Sequence, residues 1–556
     1  MDKRTIIAVV LSLAVLLVYQ LFFAKSPAPP KPAVAPSQQT ASVPEETRTK
    51  QAISKIVVKK ALAPKDIRVE TAQYLAIFST KGGALKSFQL KGYQKDCTEC
   101  ADDIYPRIKK IFTGSNDQPK PKSKDPVEMV NVKEGMPYPL AVTFADSNID
   151  IAPDSIYETT TTRLDIINAK EKQRLVFSQD FDNKIKVEKI FTFNPDNYTI
   201  GLEVKVHNLT DSPLTEIPRL SWQQYVDPKQ EVESYGHTGP VVSVAKSIER
   251  QEVSKLDKEK MLGPNVLWGG FESKYFIASF IPENPSLTSA VLNHNADNMV
   301  TVSIKGQKEV IPGGQSSNFS YTLYLGPKDY ESLKAHNLGL EKAVEFDSFI
   351  PGLKWLSIGL LLFIKFLYQY VGNYGVAIII LTILIKIIFW PLGNMSFKSM
   401  KEMQNIQPKI NELKEKHKND QAKLSQETMA MYKTHKVNPF GGCLPILIQI
   451  PVFFGLYNTL LYAIELRHSP FFWWIQDLSA KDPYYITPII MGATQFIQQK
   501  MTPTMGDPMQ AKLMLLMPVI FTFFFLNFPS GLVIYWLFNN ILQIGQQYYM
   551  NKKLAR

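Results

Sequence analysis

Lys386 sits in the run VAIIILTILIKIIFWPL, where a primary ammonium interrupts an almost wholly apolar stretch. A charge at bilayer depth costs about 2.5–3.5 kcal/mol on insertion scales, so such a group by default faces protein or water and has a task. A second reading is open: Lys386 lies five residues before Pro391, about 7.5 Å of helix rise, and its stem could carry the charge to the headgroups. Thr382 precedes it by one helical turn on the same face, which makes a polar stripe. Later apolar runs add Gln449, then Tyr535, Trp536, Asn540 and Gln543, with Asn539, Gln546 and Gln547 along the same side. Amides in such places also serve as hydrogen-bonding glue between helices. The apolar runs at 374–391, 443–462, 513–528 and 532–550 contain no Asp or Glu. Lys386 therefore has no internal counter-ion there, and a partly desolvated ammonium attracts a carboxylate from outside more strongly than bulk water allows.

This chemistry is attraction and hydrogen bonding, not bond making. No Ser with His, paired Asp or HExxH lies in the apolar runs, and there is no P-loop. An enzyme, a cofactor and a small-molecule substrate are not expected. A solute transporter would show paired repeats with broken helices, and no such repeat is visible. The net charge of +11 accompanies no nucleic-acid motif and fits the Lys/Arg excess of cytoplasmic loops. Three Cys and seven His form no zinc-ligand spacing. The single CxxC, Cys97 and Cys100, reads as a local loop disulfide in an oxidising compartment, and no metal is expected.

The elements that must position these residues fall into two halves. Thr5–Phe23 is apolar and long enough for the roughly 30 Å hydrocarbon core. Lys3 and Arg4 precede it, so residues 1–25 read as an uncleaved anchor with a cytoplasmic N-terminus. Residues 26–56 are Pro-rich and read as an extended linker. Residues 57–345 alternate in the manner of Tyr198, Ile200, Leu202, Val204 and Val206, and NPDN before them is turn chemistry, so a β-sandwich is expected. Residues 350–371 carry Lys354, Trp355 and Lys365 around an apolar stripe; an interfacial helix and a span both fit, and the former is preferred. Residues 372–556 form the core, with spans at about 374–391, 443–462, 486–501, 513–528 and 532–550, six with the anchor. The loop at 393–442 has nine Lys against five acidic residues, and the loop at 463–485 has two Lys/Arg against three. The first is therefore cytoplasmic, as are both termini, and the large domain is periplasmic.

Residues 396–437 read as a cytoplasmic helical hairpin broken near Asn419, with Asp420 as N-cap. Met395, Met400, Met403, Met429 and Met431 are either the seam between its helices or an adaptable apolar surface.

The runs VNPFGGCLPILIQIP, ELRHSPFFWWIQDLSAKDPYYITPIIMG, DPMQAKLMLLMPVIFTFFF and FPSGLVIYW resemble the insertase region of the YidC/Oxa family, and KGGALKSFQLKGY resembles the large domain of its Gram-negative form. The resemblance implies a membrane protein insertase and chaperone of the bacterial inner membrane. It implies a five-helix core with a hydrophilic groove open to cytoplasm and lipid, plus a periplasmic β-supersandwich. Nascent integral membrane proteins would be its clients, with the Sec translocon, the ribosome or targeting factors and the phospholipid bilayer as partners. Lys386 matches the family's groove cation, which is usually Arg; Thr382 and Trp536 match groove-lining or client-facing positions, Trp536 where Tyr is frequent. Charge is kept and the planar fork is lost.

Overall fold

A computed structural model describes residues 63–102, 104, 122–145, 149–227, 236–245, 247–256, 258–346, 352–417, 420–435, 437, 444–502 and 508–555. The expected anchor, most of the linker assignment's flank and Cys443 lie outside the described residues, as does the whole of 26–56.

Strands occupy the chain from Asp66 to Pro327, and helices dominate from Lys354 onward. The alternation read in the sequence becomes the strand Thr199–Asn208, which buries Ile200, Leu202, Val204 and Val206 on one face. The NPDN turn works through Asn197, whose Oδ1 accepts from the Thr199 N–H at 2.9 Å and so starts the next strand. That strand lies in an eight-stranded sheet between Ser316–Pro327 and Ile185–Phe193, antiparallel to both. Two five-stranded sheets and a two-stranded ribbon complete the β-rich domain. One apolar core joins Phe78, Phe177, Phe191, Trp222 and Val302 from the three larger sheets.

Lys189 is fully buried in this core, where its ammonium donates to the carbonyls of Gly82 at 2.8 Å, Gly83 at 2.9 Å and Leu140 at 2.8 Å. Burial pulls its pKa down to about 7.

Nine helices follow or close the domain among the described residues: α1 (Tyr330–Ala335), α2 (Lys354–Val371), α3 (Tyr374–Ile388), α4 (Trp390–Lys416), α5 (Gln421–Thr434), α6 (Leu444–Tyr462), α7 (Ile486–Met501), α8 (Pro508–Phe525) and α9 (Ser530–Ala555). Gly372 ends α2 in the left-handed region, at φ 64°, and Asn373 then caps α3 by accepting from the Val376 N–H at 3.0 Å. Pro391 falls in the first turn of α4, where its missing N–H costs nothing, and the chain bends by 60° between α3 and α4. The hairpin expected at 396–437 is α4 with α5, and Asp420 caps α5 through the Lys423 N–H at 2.9 Å. Met403, Ile406, Ile410 and Val437 form its small core with Met431 beside them, so these two methionines lie in the seam. Met395 and Met429 are exposed.

Among the described residues α2 alone is long and apolar enough to cross a membrane by itself, and α3 with α4 makes a second, bent candidate. A second apolar core runs from Trp268, Tyr324, Leu333 and Phe346 of the β-rich domain into Leu360 and Leu361 of α2 and Leu456 and Leu460 of α6. The two halves therefore share buried surface.

Candidate functional site

The inner face of α3 is set by its sequence period. Ile378, Leu381, Thr382 and Lys386 are buried, whereas Ile383, Leu384, Ile387 and Ile388 are exposed. Lys386 is 8% exposed, and its ammonium donates to the Gln543 side-chain oxygen on α9. Its side chain thus turns toward a neighbouring helix and away from its exposed apolar neighbours. Among the described residues no carboxylate forms an ion pair with it.

Thr382 is buried one turn away, and its hydroxyl donates to the Ile378 carbonyl at 2.7 Å. That bond holds the proton inside α3 and leaves the oxygen as an acceptor. Gln449 is half-buried on α6, with its side chain near the buried Tyr535 hydroxyl on α9. Trp536 stands in an aromatic cluster, with ring centroids 4.9 Å from Phe453, 5.2 Å from Phe525 and 6.4 Å from Phe521. Its indole Nε1 is buried with no hydrogen-bond partner among the described residues.

The other amides divide between two roles. Asn540 is buried and turns to α7, where its Nδ2 donates to the Met491 carbonyl at 3.4 Å and approaches Thr494 Oγ1 at 3.5 Å. Gln546 donates to the Trp390 carbonyl and Asn394 Oδ1, both at 3.0 Å, and Gln547 to Thr502 Oγ1 at 3.3 Å. These three tie α9 to its neighbours. Gln543 alone meets the cation. The residues picked from sequence therefore form a Lys386–Gln543 pair with Thr382 beside it, a Gln449–Tyr535 pair, an aromatic cluster around Trp536, and Asn540 on a separate flank.

Sequence reasoning did not find the groups that fix these helices at the end next to the β-rich domain. Asp482 is buried and accepts from Trp474 Nε1 at 3.0 Å, the Thr487 N–H at 2.7 Å and the Thr487 hydroxyl at 2.6 Å, which pins the start of α7. Asn458 and Ser357 both donate to the Phe346 carbonyl, at 3.0 and 3.2 Å, and lock α6 and α2 to the end of the β-rich domain. Lys365 of α2 gathers Asp329 at 3.4 Å, Glu465 at 3.1 Å and Glu331. Asp482 precedes the N-cap position Tyr485 by three residues and fits no standard capping pattern, so it was not readable, and neither were the partners of Lys365, distant in sequence.

A β-rich domain joined to a helical region, with a lysine buried on the inner face of an apolar helix and facing an amide, is the arrangement of a membrane protein with a polar site among its helices. The description 60Kd inner membrane protein matches residues 366–556, and YidC periplasmic domain matches residues 116–358. The chain is 56% identical over 575 residues to the membrane protein insertase YidC of Syntrophus aciditrophicus and 41% identical over 577 residues to that of Citrifermentans bemidjiense, in both cases covering all of each chain. It is similar to a solved active YidC insertase with its first transmembrane domain resolved, at 20% identity and a TM-score of 0.35 over 87% of this chain and 92% of that one. The chain belongs to the YidC family of membrane protein insertases, inner-membrane proteins with a periplasmic domain and no enzymatic activity.

Proposed function

We propose that this insertase receives the hydrophilic tail of a client at Lys386 from the cytoplasmic side, while the client's apolar segment passes along the aromatic side of the site near Trp536 into lipid. The observation that carries this reading is the buried Lys386 ammonium held by a neutral amide rather than a carboxylate. An ammonium donates three hydrogen bonds, so the Gln543 contact leaves donors for an acidic tail. Thr382, Gln449, Tyr535 and Gln543 supply polar lining, and the lining lowers the cost of carrying polar groups through hydrocarbon. Hydrophobic partitioning and the membrane potential supply the drive.

In this reading residues 1–25 anchor the chain, 26–56 link it to a β-supersandwich at 57–345, and 372–556 form a five-span core, six spans with the anchor and with both termini cytoplasmic. The helix at 350–371 lies at the periplasmic surface, a placement supported by the Lys365 cluster with Asp329 and Glu331 of the β-rich domain. The basic outer face of the 396–437 hairpin meets the ribosome, targeting factors or lipid headgroups, and insertion proceeds alone or beside the Sec translocon, with the protein also serving as a folding chaperone.

The test is insertion of a single-span client carrying an acidic, neutral or basic tail, read by protease protection in vesicles. Lys386→Ala lowers insertion of the acidic tail most, and Lys386→Arg preserves it. Unchanged insertion for tails of every charge in Lys386→Ala would remove the cation from the mechanism.

A further inference from the structure

The CxxC loop does not stand alone. Cys97 and Cys100 are joined as a disulfide in the connection between the strands Ala84–Gln94 and Pro126–Glu128. The structure presses this loop against residues 467–483, which precede α7. Arg467 donates to the Gln94 carbonyl at 2.7 Å and the Lys95 carbonyl at 3.0 Å, and the Ile104 N–H donates to the Pro483 carbonyl at 3.1 Å. Both sulfurs and a carboxylate oxygen of Asp477 lie within 4.8 Å of one another. Asp477 is 8% exposed and firmly oriented: its Oδ1 accepts from the His468 N–H at 3.1 Å, the Ser479 N–H at 2.8 Å and the Ser479 hydroxyl at 2.7 Å. Its Oδ2 stands 3.9 Å from His468 Nε2, beyond hydrogen-bonding distance.

We infer that this junction is a redox-controlled zinc site, in which Cys97, Cys100 and Asp477 hold one Zn2+ once the disulfide is reduced, with water in the fourth position. Zinc binds thiolate at about 2.3 Å and imidazole or carboxylate at about 2.0–2.2 Å, so tetrahedral ligand atoms stand roughly 3.3–3.8 Å apart. The two-residue gap between the cysteines is the one zinc-binding loops use, and three protein ligands with water complete a tetrahedral site. With the disulfide intact the sulfurs are bonded to each other and the site takes no zinc. An external dithiol reduces it: the Sγ–Sγ bond breaks, two electrons and two protons pass to the cysteines, and the dithiol becomes a disulfide. Zinc binding then releases the two thiol protons to solvent. The ion would fasten the β-rich domain to the segment before α7, two parts of the chain that are distant in sequence. Client insertion is not needed for this site, so its test is independent of the groove.

The experiment uses the full chain in detergent, in a Cys443→Ser background so that only the CxxC supplies thiols. Protein is treated with or without a phosphine reductant under anaerobic conditions, exposed to Zn2+ or Co2+, desalted and analysed for bound metal. Reduced protein is expected to retain one equivalent, and Co2+ to give thiolate charge-transfer and tetrahedral d–d bands; untreated protein retains none. Cys97→Ser with Cys100→Ser abolishes retention, and Asp477→Asn weakens it tenfold or more while circular dichroism stays unchanged. Retention by reduced protein no greater than by the double serine variant overturns the site. Retention that needs the cysteines but ignores Asp477→Asn overturns the junction between the loop and the segment before α7.

Discussion

Replacing Lys189 by Met tests whether a single buried ammonium organises the β-rich domain. Met preserves most of the apolar stem and removes every donor. Three carbonyls, those of Gly82, Gly83 and Leu140, now held at 2.8–2.9 Å, would be left in a dry interior. An unpaired buried polar group costs about 1–3 kcal/mol. Even with relief from the desolvation of a charge, a net loss of about 3 kcal/mol is expected, roughly a 100-fold rise in the open population. Hydrogen exchange of Ile185–Phe193, the strand that carries Lys189, reads this directly in the full-length protein. The pH dependence has a definite sign. Burial lowers the folded pKa to about 7, whereas an unfolded lysine titrates near 10.4. Between those values the unfolded chain binds more protons, so the stability of the wild type relative to Lys189→Met rises with pH, by up to about 1.4 kcal/mol per unit. Equal protection in the two proteins at every pH would refute the argument that the three carbonyls depend on this side chain.

Three further substitutions probe separate joints. A Cβ on Gly492 would run into Thr522 on α8, so Gly492→Ala should destabilise the α7–α8 contact by about 1–3 kcal/mol, whereas Gly545→Ala on α9 meets open space and should not, as thermal unfolding in detergent would show. Glu216 is buried opposite Glu309 and its pKa is pushed up to about 8 by desolvation first and by that neighbour second. The folded state then holds an extra proton between about pH 4.3 and 8, so stability falls across that window, and the advantage of Glu216→Gln in melting temperature should grow with pH and level off above about 8. Lys365→Met leaves Asp329 and Glu465 without their shared cation, and faster proteolysis around 330–346 with little change in the eight-stranded sheet is the expected result.

How much of this was legible depends on the range of each interaction. Local patterns translated directly: alternation gave the strand Thr199–Asn208, the Asp420 cap appeared where a short polar residue precedes a helical run, and the hairpin broke at the expected place. The expected span at 374–391 ends as a helix at Ile388 because the chain bends there and Pro391 opens the next helix, while the last helix continues to Ala555, past the expected 550, because NKK extends it into polar surroundings. Lys386 stood out because its cost in an apolar run is a one-residue property. Its partner did not, since Gln543, Asn540, Gln546 and Gln547 are alike in sequence and differ only in which helix lies opposite. The same limit hid Asp477 from the CxxC loop, a contact between segments hundreds of residues apart.

A lysine at position 386, where the resemblance read from the sequence implies arginine, follows a physical logic within the proposed mechanism. A guanidinium presents a rigid planar fork that grips a carboxylate through two parallel bonds, whereas an ammonium is a compact charge whose donors rotate. Gln543 occupies one donor direction with a neutral oxygen, which orients the charge without cancelling it. A tail that must enter and then leave is better served by attraction that lacks a fixed geometry, because every bidentate contact made on entry has to be broken before the segment moves into lipid. Lys386→Arg would then hold acidic tails longer. A crosslink from position 386 to a stalled client should persist in that variant, and a shorter-lived crosslink there would set this logic aside.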